Sequence, residues 1–304
     1  MGMNGEAAPP PHPSRWVVLL AAIRPRTLSI ALAPVLIGTS LAWADGYMHQ
    51  WVVLVATLSC ALLIQIGTNL HNDVRDFERG TDGSDRVGPL RVTAAGWVLP
   101  RTMHRATRFC VAVALMLGLY LVQQGGLPIL LAGSFSLLAG WSYSGGPKPV
   151  SHTPFGELVV LVFFGLVAVS GSHWLQSGQA SLEALWCGAA IGCPAAAVLM
   201  VNNYRDLEGD LRSGRRTLTA YLGQSNAVRT YQCLVLLPFL LTVALVWHGR
   251  TGTMLVTLAL PFAIKLAANM LSAKRAEALN SLLSNTAKLG LMFAVLLSAG
   301  LFLK

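Results

Sequence analysis

Apolar residues come along this chain in long unbroken runs, not in the alternating or one-faced patterns of soluble strands and helices. Runs near 27–44, 51–71, 106–123, 127–143, 157–174, 182–201, 230–248, 252–270 and 283–303 each approach the roughly 20 residues that a helix needs to cross a bilayer core. Lipid offers no partner to a bare backbone N–H or C=O, so such spans must be helices packed into a bundle. The expectation is an all-α membrane protein of about nine spans. A stretch of about 14–24 ahead of the first span is expected to form an interfacial helix. Residues 1–13, with Pro9, Pro10 and Pro11, are expected to be a disordered tail, and 14–304 a single domain. No compact basic, apolar and small-residue pattern opens the chain, so no cleavable signal is expected.

Composition sharpens this picture. The chain is 54% hydrophobic and 12% charged, about half the charged share of a soluble domain. Cys60, Cys110, Cys187, Cys193 and Cys233 all fall in or beside apolar runs and form no CxxC pair. They read as small residues packed between helices.

The net charge of +9 is unevenly placed. Arg75, Arg79, Arg86, Arg91, Arg101, Arg105 and Arg108 fall between 72 and 108, and Arg205, Arg212, Arg215, Arg216 and Arg229 between 202 and 229. Arg15, Arg24 and Arg26 precede the first span, whereas the short loops near 45–50, 124–126 and 175–181 carry no basic residue. Basic residues favour the cytoplasmic side, which puts the N-terminus and the two long loops inside. Topology therefore accounts for most of the positive charge, and no nucleic-acid partner is implied.

Acids contribute little to orientation, so their clustering needs another reason. Asp73, Asp76, Glu78, Asp82 and Asp85 form one group; Asp206, Glu208 and Asp210 form another. Each group begins where an apolar run ends, and each repeats a spacing: Asn72 and Asp76, Asn202 and Asp206. Four residues return to nearly the same helix face, so each pair can address one ligand from a wet span end. Asp210 extends the second row; in the first, Gly80 takes that place and Asp82 follows it. Facing carboxylate rows repel unless a cation lies between them. Hard oxygen donors of this kind suit Mg2+, usually bound through a few carboxylates plus substrate phosphates. Asp73, Asp76, Asp82, Asp206 and Asp210 are the candidate metal ligands, with Asp73 alternatively orienting its loop. Arg79, Arg205, Arg215 and Arg216 are candidate diphosphate contacts, because guanidinium matches phosphate oxygens in pairs.

These motifs resemble the UbiA superfamily of intramembrane aromatic prenyltransferases, most strongly its 1,4-dihydroxy-2-naphthoate polyprenyltransferase branch. Asn72-Asp73 through Asp82 and then Asp85-Arg86-Val87-Gly88-Pro89-Leu90-Arg91 resemble that branch's first motif and the stretch after it. Similar agreement runs through Arg24-Pro25-Arg26-Thr27-Leu28, Tyr143-Ser144-Gly145-Gly146-Pro147, Gly156-Glu157 and Asn202-Asn203-Tyr204-Arg205-Asp206. Arg215-Arg216 departs from the family's usual Gly-Lys before Thr-Leu, keeping charge but changing phosphate geometry. The resemblance implies a helix bundle around a central cavity, capped on the cytoplasmic side by the two motif loops. It implies a polyprenyl diphosphate donor, 1,4-dihydroxy-2-naphthoate as acceptor, and Mg2+. It gives Asn72, Asp76, Asp206 and Asp210 catalytic roles. It also adds Arg24 to the diphosphate contacts and places Tyr143 beside the cavity. Lys148, the one charge between the fourth and fifth spans, is a further candidate diphosphate contact or a snorkelling lysine, and Asn202, paired by spacing with Asp206, is a candidate cavity residue. Another aromatic acceptor, or a cation-coupled transporter, remains an alternative. Transporters place such acids near the bilayer midplane, whereas here they sit at span ends. A membrane phosphotransferase would need an Asp-Gly-x-x-Ala-Arg pattern, and Asp82-Gly83 lacks the rest.

Overall fold

In the computed structural model, residues 13–80, 88, 91–273 and 275–303 are described, and every regular element among them is helical. Helix α1 (Arg15–Ile23) leads into α2 (Pro25–Ala44), α3 (Trp51–Glu78) and α4 (Pro100–Ser144). Helix α5 (Gly156–Leu161) continues through a π-helical stretch, Val162–Val167, into α6 (Ala168–Ser177). Then come α7 (Leu182–Arg205), the short α8 (Leu207–Arg212), α9 (Leu218–Trp247), a 3-10 stretch at Thr251–Ala259 that continues into α10 (Leu260–Ser272), and α11 (Ala276–Leu301). Eight of the described helical segments are long and apolar enough to cross a membrane, and the molecule is an all-α membrane protein.

The expected spans 106–123 and 127–143 share one element, α4, whose 45 residues would reach roughly 67 Å if straight. It is not straight. Gly126 has φ 65° and ψ −151°, a conformation open to glycine because it has no Cβ. Met103 packs with Leu70 and Val74 near one end of α3, and Gly145 lies beside His71 at that same end. Leu121 and Ile129 both pack with Val53 and Ala56 at the other end. Helix α4 is thus a hairpin that folds back at Gly126.

Helix α7 is the most enclosed of the long helices, with Ala190, Ile191, Cys193, Ala196, Ala197, Met200 and Val201 all buried. Small side chains let neighbours approach, as membrane helix packing requires. A Cβ on Gly165 would meet the Gly188 carbonyl oxygen at 2.4 Å. On the outside, Leu240 and Leu258 are largely exposed, as expected for side chains facing lipid rather than water. The stretch expected to be helical at about 14–24 is α1, which exposes Trp16, Val17, Leu19 and Leu20.

Hydrogen bonds tie the loops together at each end of the bundle. At one end, the Trp43 indole donates to Gln176 (2.9 Å), and Arg250 pairs with both Asp45 and Glu183. At the other, Arg79 donates to the Gly146 carbonyl (2.8 Å), the Arg216 backbone to His152 (3.0 Å), and Arg91 to the Asn72 carbonyl (2.7 Å). Both acidic motifs lie at this second end.

Candidate active site

Between the helices lies a cavity of about 320 Å³. Its lining changes character along its length. At the motif end it meets Arg24, Asn72, Asp76, Arg91, Tyr143, Ser144, Ser151, Asn202, Asn203 and Arg215; deeper in, Ile30, Ala31, Ala61, Ile64, Phe163, Phe164, Ala168 and Val198. The two phenylalanines come from the π-helical stretch, a local widening often found at functional sites.

The face of α3 that carries Asn72 and Asp76 extends inward. Gln65 and Asn69 lie on it at helical spacing, and both line the cavity. Gln65 donates to Asn69 (3.2 Å), and Asn69 donates to the Ile23 carbonyl (3.0 Å) and the Thr27 hydroxyl (3.1 Å). That link fixes the joint between α1 and α2, where Arg24 sits. Arg24 is the one non-glycine residue with positive φ among those described (φ 54°). Such backbone costs on the order of 1–3 kcal/mol and persists only where surroundings enforce it. Its guanidinium lies 3.7 Å from the Asp73 carboxylate, which also accepts from the Thr93 backbone N–H (3.1 Å).

Asp76 is buried at 4% exposure, not the wet span end its position in sequence implies. Its carboxylate is held by Arg91 at 2.5 Å and Arg215 at 2.8 Å. Arg215 also reaches Asp210 at 3.5 Å, so one guanidinium lies between the carboxylates of the two motifs. Burial pushes the Asp210 carboxyl up to about 6, against the opposing pull of Arg215. Asp206 has its partner beside it: Arg205 grips both carboxylate oxygens at 2.8 and 2.7 Å. Arg205 in turn donates to Asn202 and to Asn280 of α11, each at 2.8 Å.

Of the residues expected from sequence, Arg24, Asn72, Asp76, Tyr143, Asn202 and Arg215 line the cavity. Asp73, Arg205, Asp206 and Asp210 stand behind or beside that lining, joined to it by the bonds above, and Arg79 is held at Gly146. Lys148 and Arg216 are exposed and do not line the cavity. Asp82 lies outside the described residues, as do Asp85 and Arg86. Residues not singled out in advance are Gln65, Asn69, Ser144, Ser151 and above all Arg91, which is buried against Asp76. The helical spacing 65, 69, 72, 76 was a readable signal for the first two. Arg91 closes the Asp85–Arg91 stretch, and its role required knowing where that stretch returns.

Among the described lining residues, three guanidiniums (Arg24, Arg91, Arg215) accompany one carboxylate (Asp76). A cationic head region opening into an apolar chamber inside a helical membrane bundle is the architecture of an intramembrane protein that holds an amphiphile by an anionic head. A model of the UbiA prenyltransferase family matches residues 31–297, and the chain belongs to that family. It is 35% identical to the 1,4-dihydroxy-2-naphthoate octaprenyltransferase of Escherichia coli (strain K12), over 95% of this chain and 96% of that protein. It is 33% identical to the protein of the same name from Mycobacterium tuberculosis (strain ATCC 25618 / H37Rv), over 95% and 97%. In fold it is similar to a UbiA homolog from Archaeoglobus fulgidus bound to DMAPP and Mg2+, with a TM-score of 0.67 at 14% identity, covering 94% of this chain and 99% of that one.

Proposed function

We propose that this protein transfers a polyprenyl group from polyprenyl diphosphate to 1,4-dihydroxy-2-naphthoate, with release of diphosphate and carbon dioxide, in menaquinone biosynthesis. The observation that carries this reading is the cavity, with arginines at its head and Phe163, Phe164, Ile64 and Val198 beyond them. A prenyl diphosphate has the same division into anionic head and apolar tail. The acceptor assignment draws on relatives that carry the naphthoate in their names and match nearly the whole chain.

In this reading Arg24, Arg91 and Arg215 hold the diphosphate and take up charge as the allylic C–O bond breaks, which is electrostatic stabilisation of a leaving group. Arg79, held at Gly146, and Arg205, held at Asp206, Asn202 and Asn280, add positive charge beside this lining, while the exposed Lys148 and Arg216 assist at the rim. The apolar walls exclude water, which would otherwise quench the carbon electrophile. Tyr143 and Asn202 orient the aromatic acceptor. Its electron-rich ring forms the new C–C bond at the carbon bearing the carboxylate; the bond to that carboxylate then breaks, its electrons restore the ring, and carbon dioxide leaves.

The donor set fits Mg2+ by its chemistry, since Asn72, Asp76, Asp206 and Asp210 offer only oxygen. The Asn72 carboxamide oxygen is buried and has no hydrogen-bond partner among the described residues. Asn72, Asp76 and Asp210 would hold the ion, with Asp82 and, if Arg205 shares it, Asp206. When bound, it would neutralise charge on the departing diphosphate. Asp73 is occupied by Thr93 and Arg24, which supports an orienting role. The basic loops put the N-terminus and both motifs on the cytoplasmic side of the cell membrane.

The test supplies 1,4-dihydroxy-2-naphthoate labelled in its carboxyl carbon together with a polyprenyl diphosphate. Labelled carbon dioxide should appear in step with prenylated product. Efficient prenylation of 4-hydroxybenzoate with no reaction of the naphthoate would refute the acceptor while leaving the reaction class standing.

A further inference from the structure

A second concavity, of about 810 Å³, lies on the outer side of the wall formed by α3 and the α4 hairpin. It is separate from the central cavity: Gly140 and Tyr143 face the cavity, whereas Trp141 lines this groove. Arg101, Arg105 and Arg108 line one end of it. They are four and three residues apart, which sets them on one helix face. None of the three has a carboxylate within ion-pair distance among the described residues, and all are exposed. His104, between them, is already bonded to Glu78 (2.7 Å), and Glu78 is shared with Arg75. Further along the same face the lining turns apolar at Val111 and Leu115, and Trp141 adds an apolar wall from the returning arm of α4. Arginines that merely snorkel from a helix end have no need to converge on one groove that continues into an apolar furrow.

We propose that this groove binds an anionic glycerophospholipid of the surrounding bilayer, its phosphate at Arg101, Arg105 and Arg108 and an acyl chain along Leu115 and Trp141. Guanidinium groups pair with phosphate oxygens, and basic pockets between membrane helices suit anionic headgroups. The apolar continuation selects a phosphate that carries a lipid tail over a free one.

The experiment is native mass spectrometry of the detergent-solubilised protein with added phosphatidylglycerol, phosphatidylcholine or inorganic phosphate. A phosphatidylglycerol adduct should persist at least tenfold more strongly than a phosphatidylcholine adduct, and inorganic phosphate should not displace it. R101Q/R105Q/R108Q should lose the adduct at least tenfold while Arg229→Gln, on α9, keeps it. Prenyl transfer in detergent should stay within about twofold in all of these variants. If the triple variant fails to fold, Arg105→Gln should shrink the rise in Tm that phosphatidylglycerol gives the unaltered protein. Equal retention of the two lipids, an undiminished adduct in the arginine variants, or displacement by inorganic phosphate would overturn the proposal.

Discussion

Asp76 and Asp206 stand four residues after an asparagine at the ends of two helices, α3 and α7, and yet they are held in opposite ways. Asp76 is gripped by Arg91 and by Arg215, the latter 139 residues away in sequence, and is buried. Asp206 is gripped by its immediate neighbour Arg205, and its side chain keeps 21% exposure. A repeated spacing thus supplies a repeated direction along a helix, and the environment decides what each carboxylate does. The first motif depends on the tertiary arrangement for its partners. The second carries its main partner with it.

The largest effect that would test this contrast is expected at Asp76. Asp76→Ala should lower turnover by roughly a hundredfold or more, several kcal/mol of barrier. It also leaves Arg91 and Arg215 facing each other, and breaking a buried pair in this way costs about 3–5 kcal/mol, so Tm should fall as well. Asp206→Ala should also cost roughly a hundredfold in rate. Its Tm should fall less, because one guanidinium and not two loses its carboxylate, and the buried Arg205 keeps Asn202 and Asn280 as acceptors. Equal loss of Tm in the two variants would erase the contrast.

Removal of divalent metal tests both motifs together. A chelator should abolish turnover and added Mg2+ restore it; full activity in thoroughly metal-free buffer would show that the guanidiniums suffice. The smallest effects belong to the rim. Lys148→Ala and Arg216→Gln should each change kcat/KM by about threefold or less, since neither side chain lines the cavity, whereas Arg91→Gln should cost tenfold or more. A large loss at Lys148 would mean that the loop closes over bound substrate.

The spans were legible because a bilayer imposes a length and an apolar composition on each of them, and the runs near 51–71 and 182–201 lie within α3 and α7. The fold-back of α4 was legible as two spans, though it is one element bent at Gly126. The acidic pairs were legible because a helix repeats its face every three to four residues, and extending that spacing back from Asp76 would have reached Asn69 and Gln65. Arg91 was not legible as a partner of Asp76, since its sequence position between two spans says nothing about which helix end it returns to.

The sequence by itself determined the helical membrane bundle, the end of the bundle at which charge collects, and the face along which Asn72 and Asp76 point. These follow from local rules, the cost of a bare backbone in lipid and the pitch of a helix. Only the tertiary structure decided that Arg91 and Arg215 meet at Asp76, and that Lys148 and Arg216 remain outside the cavity lining. The Arg215–Asp76 pair joins segments 139 residues apart in sequence. A charged side chain reaches several ångströms in any direction from its backbone, so whether it pairs with a neighbour, as Asp206 does, or with a distant segment, as Asp76 does, is set by how the helices pack.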